Sequence, residues 1–296
     1  MSEPGGLERE RPLARYATVG TGGAAELFAR VGSDARLHEL LAWARAAGHQ
    51  VAVVGSGSNV LIADEGVRGL VLKLDGELAR IEPVGEHGLQ CGGAARLPAV
   101  AAEASRRGLS GIEFGVNIPG TVGGAVRMNA NAYGGELART LEWVDIVDPD
   151  GTTRRPPEAL GFGYRRSGLD EHEIVARALF ALTPADPEQV KATLADLRAR
   201  RHAAQPSGIK TFGSTFKNPT PERTAGLLLS QAGCNGLTIG RVRFSPKHAN
   251  FVENLGGAST AEVLALMAAG RDRVLERFGI ALEPEVQTLG PVRFPW

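Results

Sequence analysis

The chain reads as an α+β protein, and three observations carry that reading. Short β-branched runs alternate with isolated helical patterns but never settle into a strict strand–helix repeat. Two glycine-rich stretches interrupt apolar sequence in the first half. Past residue 186 the pattern turns mainly helical. With 296 residues, 43% of them hydrophobic, the chain can fill two or three cores.

The elements follow in order. Residues 1–15 are polar and predict a flexible leader. Residues 25–31 alternate as a strand. Ser33 then caps a helix with Leu37, Leu40, Leu41 and Ala44 on one face, and Gly48 stops it. Strands follow at 51–54, 60–64 and 69–74, completing a β-α-β-β unit over about 16–76. Over 77–185, short strands surround one helix at 97–107, closed by Gly108. Longer strands at 141–147 and 174–182 are separated by a turn at Asp148-Pro149-Asp150-Gly151. Asp186-Pro187-Glu188 is a strong helix start, with proline at the first helical position, and marks a domain boundary. The C-terminal domain, 186–296, carries helices at 187–201, about 223–233 and 260–278. The last opens on a capping box, Ser259 with Glu262, and ends at Gly279. Between the last two helices lie β-like runs at 241–244 and 251–253.

Composition narrows the function. Formal net charge is zero and no basic stripe is interleaved with aromatics, which disfavours nucleic acid as a partner. The cluster Arg198, Arg200 and Arg201 sits at a helix end, where cations suit the dipole. Cys91 and Cys234 are far apart and lack metal-ligand spacing, which fits a reducing compartment. The histidines form no H-x-x-x-H pair, so no metal is expected. No signal peptide and no membrane-length apolar run is apparent, so the expectation is a cytoplasmic protein without membrane insertion.

The glycine stretches carry more. Gly55-Ser56-Gly57-Ser58-Asn59 and Ile118-Pro119-Gly120-Thr121-Val122-Gly123-Gly124-Ala125 allow close approach of backbone to a bulky ligand, and their N–H groups suit a diphosphate. A dinucleotide-binding turn would need G-x-G-x-x-G opening a helix, but Val60 stands where the third glycine belongs and strand-like sequence follows. No Gly-Lys-Ser/Thr is present. Tight turns between strands would use the same glycines.

Three compact motifs lie in the last third: Gly213-Ser214-Thr215-Phe216-Lys217-Asn218-Pro219, Lys247-His248-Ala249-Asn250-Phe251, and Leu282-Glu283-Pro284-Glu285-Val286. Tyr164-Arg165-Arg166-Ser167 precedes them, and arginine grips carboxylates through paired hydrogen bonds. Ser214 is not in a G-x-S-x-G elbow, which argues against a hydrolase nucleophile, while its hydroxyl could donate a proton. Taken singly, each has a plainer reading: a turn serine, a structural histidine, solvated carboxylates, a surface arginine.

Together and in this order the motifs resemble the UDP-N-acetylenolpyruvoylglucosamine reductase (MurB) family. The first loop, continuing into Val60-Leu61, is similar to that family's G-x-G-S-N-hydrophobic-L. The second, continuing into Met128-Asn129-Ala130-Asn131-Ala132-Tyr133-Gly134, is similar to its I-P-G-T-V-G-G-A…N-A-x-A-Y-G signature. The three late motifs match G-S-x-F-K-N-P, K-H-A-N-F and L-E-P-E-V. The likeness runs from about Tyr16 to about Gly290 and fits the shorter family type.

The resemblance implies an FAD-binding unit of the p-cresol methylhydroxylase type over 16–185, in two subdomains split near 76, and a C-terminal substrate domain. It implies bound FAD, NADPH as hydride donor, and reduction of UDP-N-acetylglucosamine enolpyruvate to UDP-N-acetylmuramate for peptidoglycan, by a monomer. Both glycine loops would hold FAD. Arg165 and Glu285 would stabilise the carboxylate side of an enolate-like intermediate, Glu285 only if protonated, and Ser214 would deliver the proton. Tyr164, Lys217, Asn218 and His248 would hold the substrate. The chain departs from the pattern at Asn235, where a lysine is usual, and Arg241 could restore that charge. Asn117 replaces a glycine before the second loop. The alternatives are a flavin oxidase of the same fold, which has no need of the Ser214 and Glu285 motifs, and a non-catalytic UDP-sugar-binding relative, which Asn235 alone favours.

Overall fold

The computed structural model describes residues 2–296. The α+β expectation holds: among the described residues six α-helices accompany six small sheets. Two compact units emerge. One comprises residues 2–8, Leu27–Ser56 and Gly69–Arg201; the other comprises Arg9–Glu26, Gly57–Arg68 and His202–Trp296.

In the first unit, α1 (Asp34–Ala47) begins at Ser33, whose hydroxyl accepts from the Arg36 N–H, and ends at left-handed Gly48. It buries Leu37, Leu40, Leu41 and Trp43 on Leu27, Ala29, Leu70 and Leu72. Within this unit those four lie on strand residues 27–31 and 69–74, the latter paired in parallel with Val51–Val53. A five-stranded antiparallel sheet is centred on Ile174–Ala181, flanked by Leu141–Asp148 and Gly88–Gly92. It shares one core with α2 (Leu97–Arg106), α3 (Val122–Arg127) and α4 (Pro187–Ala204), which contribute Val100, Ala101, Val122, Val126, Leu194 and Leu197.

In the second unit, α5 (Ala225–Gln231) and α6 (Thr260–Phe278) flank a three-stranded sheet, Thr238–Ile239, Val242–Phe244 and Val252–Asn254. The capping box at Ser259 and Glu262 is present, and Glu262 is held below its ordinary pKa chiefly by the Ser259 N–H. Asp64 adds a second cap, accepting from the Thr260 and Ala261 N–H groups at 2.8 and 2.9 Å. Gln287–Leu289 pairs in parallel with Val60–Ile62.

Three expectations need correction. The leader over 1–15 is not loose throughout, because Glu8–Pro12 is a strand and Leu13 is fully buried. The compact units divide after Arg201 rather than at 186, because Leu194 and Leu197 of α4 fill the core of the first unit. Residues 57–68, expected in the N-terminal unit, join the second because Val60–Ile62 finds its partner near the C-terminus.

Candidate active site

The first glycine loop splits between the units. Within the first, the Gly55 carbonyl accepts from the Lys73 ammonium, and a Cβ on Gly55 would lie 2.8 Å from Thr121 Oγ1, so the two loops adjoin there. In a planar trans peptide the C=O and the following N–H point oppositely. The Ser56 N–H therefore points away from Lys73. Within the second unit, the Gly57 carbonyl accepts from Thr18 N and Thr18 Oγ1 at 2.9 and 3.1 Å, turning the Ser58 N–H the other way. Gly57 has φ +69°, and a Cβ there would sit 1.8 Å from the Tyr16 carbonyl oxygen. Only glycine fits.

The second loop is less open than its sequence suggests. The N–H groups of Val122 and Gly123 donate to Ala95 and Gly93 oxygens at 2.9 and 2.8 Å. Those of Gly124 and Ala125 donate back to the Thr121 hydroxyl and carbonyl at 3.4 and 2.8 Å. The Gly120 carbonyl accepts from Leu97 N, so by the same peptide geometry the Thr121 N–H points away from Leu97. Ile118 and Pro119 lead in without helical structure. Asn117 needs no left-handed backbone; its amide donates to the Leu197 carbonyl at 2.6 Å and so braces α4.

The late motifs are knitted together in the second unit. Ser214 bridges Phe251, and Phe216 bridges Pro284. Thr215 N donates to the Asn250 carbonyl, Glu285 N donates to the Thr215 carbonyl, and Lys217 N donates to the Glu283 carbonyl. Asn59 joins them: its amide donates to the Glu285 carbonyl at 3.2 Å, and its own carbonyl accepts from Gln287 N. Ser214, Glu285 and Asn59 thus share one framework. Glu285 is buried, whereas Glu283 is solvated and pairs with Lys217 at 3.3 Å.

Asn250 was legible only as a polar residue of a motif. Buried at 3% exposure, it accepts from Phe216 N at 2.9 Å and donates to Phe216 O at 2.8 Å, acting as a strand partner made of side chain. His248 Nδ1 accepts from Asn250 N at 3.3 Å, so the neutral ring carries its proton on Nε2. Burial lowers its pKa and keeps it neutral. Its ring meets Phe251 edge-on, 4.9 Å between centroids, and leaves no space for a side chain at Gly226. Asn218 Oδ1 is occupied, accepting from Ala225 N at the start of α5.

Tyr164 and Arg165 lie in the first unit. Arg165 is left-handed at φ +57°, and its Nη1 donates to the Asn131 carbonyl at 3.2 Å. Tyr164 is exposed and borders a concavity with Asn131, Tyr133 and Gly163. Arg166 is exposed, as a plain surface arginine would be. Arg241 reaches toward the Gly257 carbonyl, and Asn235 braces the Pro246 carbonyl at 3.1 Å.

Against this geometry, two family descriptions match: "FAD binding domain" over residues 25–155, and "UDP-N-acetylenolpyruvoylglucosamine reductase, C-terminal domain" over 205–289. The enzyme called UDP-N-acetylenolpyruvoylglucosamine reductase 2 in Symbiobacterium thermophilum is 43% identical, over 100% of this chain and 96% of its own length. The chain belongs to the UDP-N-acetylenolpyruvoylglucosamine reductase family. The reductase of Rubrobacter xylanophilus is 41% identical over 95% of this chain and 94% of its own. The crystal structure of the reductase (MurB) from Thermus caldophilus superposes with a TM-score of 0.83 at 37% identity, covering 96% of this chain and 98% of that one. The fold is therefore an FAD-binding domain joined to the reductase C-terminal domain. No helix among the described residues is long and apolar enough to cross a membrane.

Proposed function

We propose that this chain reduces UDP-N-acetylglucosamine enolpyruvate to UDP-N-acetylmuramate, with NADPH as the reductant, in the synthesis of peptidoglycan. The observation that carries this reading is the shared framework of Ser214, Glu285 and Asn59 in a chain of this family. When bound, FAD supplies a two-electron relay from NADPH to C3 of the enolpyruvyl ether. The residues that would hold the cofactor are those of the two glycine loops, among which Gly55 and Gly57 admit no side chain and Thr121 turns its N–H away from Leu97.

Addition at C3 builds negative charge at C2 and onto the neighbouring carboxylate. Arg165 would hold that carboxylate as a fixed cation, and Glu285 would donate to it from its neutral form. Ser214 would hold the proton for C2. A hydroxyl is a weak acid in water, but transfer to a carbanion runs downhill. His248 would donate from Nε2, Lys217 would pair with a substrate anion, and Asn218 would donate from its NH₂ group, its oxygen being engaged. Tyr164 would border the sugar. We further propose that the protein works in the cytoplasm as a monomer, which sedimentation would test.

The direct test is spectroscopic. Purified protein is held without oxygen, given NADPH, then given the enolpyruvyl sugar. Flavin absorbance should bleach with NADPH and return with the sugar. Return with oxygen alone would overturn the reductase reading.

A further inference from the structure

Among the described residues, only four that are not glycine have left-handed backbone: Glu10, Asn129, Tyr133 and Arg165. The last three belong to one patch of the first unit. Such a conformation costs roughly 1–2 kcal/mol in an L-residue and persists where surroundings over-determine it.

Asn129 ties this patch together. It is 1% exposed, with φ +39°. Its NH₂ group donates to Glu136 Oε1 at 2.7 Å and to the Gly163 carbonyl at 3.2 Å. Its oxygen accepts from Ala138 N at 3.2 Å. Gly163 opens the turn that carries Tyr164 and Arg165, closed by hydrogen bonds in both directions between Gly163 and Arg166. Asn131, two residues beyond Asn129, supplies the carbonyl that the Arg165 guanidinium reaches. Asn129 therefore stands at the root of two attachments of Arg165, its backbone through Gly163 and its side chain through Asn131. The far end of the turn is tied separately, by Ser167 Oγ donating to the Arg127 carbonyl at 2.9 Å.

We propose that Asn129 is a positioning residue that sets the direction of Arg165 toward the substrate carboxylate. The proposal rests on the reading of Arg165 as the carboxylate partner. The chemistry requires an amide at 129. An aspartate would lose the bond to Gly163 and place a second carboxylate against Glu136. Glycine would keep the left-handed backbone and lose only the side chain.

The test uses the FAD-loaded protein with N129G, R165K and the double variant. First, affinities are compared for UDP-N-acetylmuramate and UDP-N-acetylglucosamine, which differ by the carboxylate-bearing ether. N129G should weaken the first about tenfold and leave the second unchanged, a split that general loosening of the fold does not produce. Second, single-turnover reoxidation of reduced flavin by the enolpyruvyl sugar should slow about tenfold in N129G, and N129G/R165K should be no slower than R165K alone, because residues acting through one another are not additive. Equal loss of affinity for both ligands, or penalties that multiply in the double variant, overturns the proposal. Wild-type behaviour of N129G beside an impaired R165K overturns it alone, whereas wild-type behaviour of R165K overturns the Arg165 reading as well. If N129G does not fold, N129D, which keeps the acceptor for Ala138, should show the same split, and equal loss for both ligands overturns the proposal.

Discussion

Replacing Asn250 by alanine tests whether a side chain holds the Ser214 segment in place. Asn250 makes two hydrogen bonds to Phe216, at 2.9 and 2.8 Å, and Phe216 is fully buried. Alanine leaves a buried N–H and a buried C=O unpaired, each costing about 1–3 kcal/mol, so about 2–6 kcal/mol in all. At 1.4 kcal/mol per factor of ten, a loss of about 3 kcal/mol speeds local opening roughly 10²-fold. Aspartate separates the halves: it still accepts from Phe216 N but cannot donate to the carbonyl, so about half the loss should remain. Hydrogen–deuterium exchange on peptides covering residues 213–219 reads the opening directly. A urea titration followed by circular dichroism shows whether the loss spreads to global stability. Exchange in N250A within about threefold of wild type would show that the two bonds do not hold this segment.

Further expectations concern the loop, the proton and pH. Gly57→Ala places a methyl against the Tyr16 carbonyl, which is backbone and cannot swing aside, in a left-handed conformation. It should cost about 2 kcal/mol or more and release FAD on desalting, visible as a lowered ratio of flavin to protein absorbance. Ser214→Ala should still accept electrons from NADPH but slow reoxidation by the enolpyruvyl sugar on the order of 10²-fold, and undiminished reoxidation would remove Ser214 from the proton's path. Burial lowers the His248 pKa, so below the unfolded value of about 6.5 the unfolded chain takes up a proton that the folded one refuses. Stability should therefore fall as pH drops from about 6.5 toward the depressed folded value. Melting temperatures at pH 8 and 5.5 should differ less in H248Q than in wild type, and an equal difference would mean that this histidine does not govern the slope.

Much of the fold was legible because local chemistry sets element ends. Ser33 and Gly48 bound α1, and Ser259 and Gly279 bound α6, each readable from the residue itself, although Asp64 adds a distant second cap to α6. What stayed hidden depended on partners far along the chain. Glu8–Pro12 is entirely polar apart from its proline and shows no hydrophobic alternation, so only its sheet neighbour marks it as a strand. The role of α4 follows from where Leu194 and Leu197 dock, which periodicity cannot tell. In the candidate site, the motifs pointed to Ser214, Glu285 and Arg165, but the residues that aim them did not stand out. Asn250 and, apart from its bond to Glu136, Asn129 work by bonding to main chain, and main-chain partners leave no mark in side-chain identity. The second glycine loop misled in the opposite sense: its sequence advertises open amides, yet Val122 and Gly123 spend theirs on Ala95 and Gly93.

The pairing of Val60–Ile62 with Gln287–Leu289 has a consequence for how the chain is made. Gln287 follows Val60 by 227 positions (287 minus 60). At about 5–20 residues per second, the ribosome delivers the partner roughly 11 to 45 s after Val60. Every residue of the first unit lies at or before Arg201, so its whole sequence is made while synthesis of the second continues. Leu61 and Ile62, fully buried at the end, must wait through that interval without their parallel neighbour. A nascent chain arrested at residue 201 should therefore present a protected sheet at 141–181 beside an unprotected, apolar stretch at 60–62, and that stretch is where a holding chaperone would find its grip.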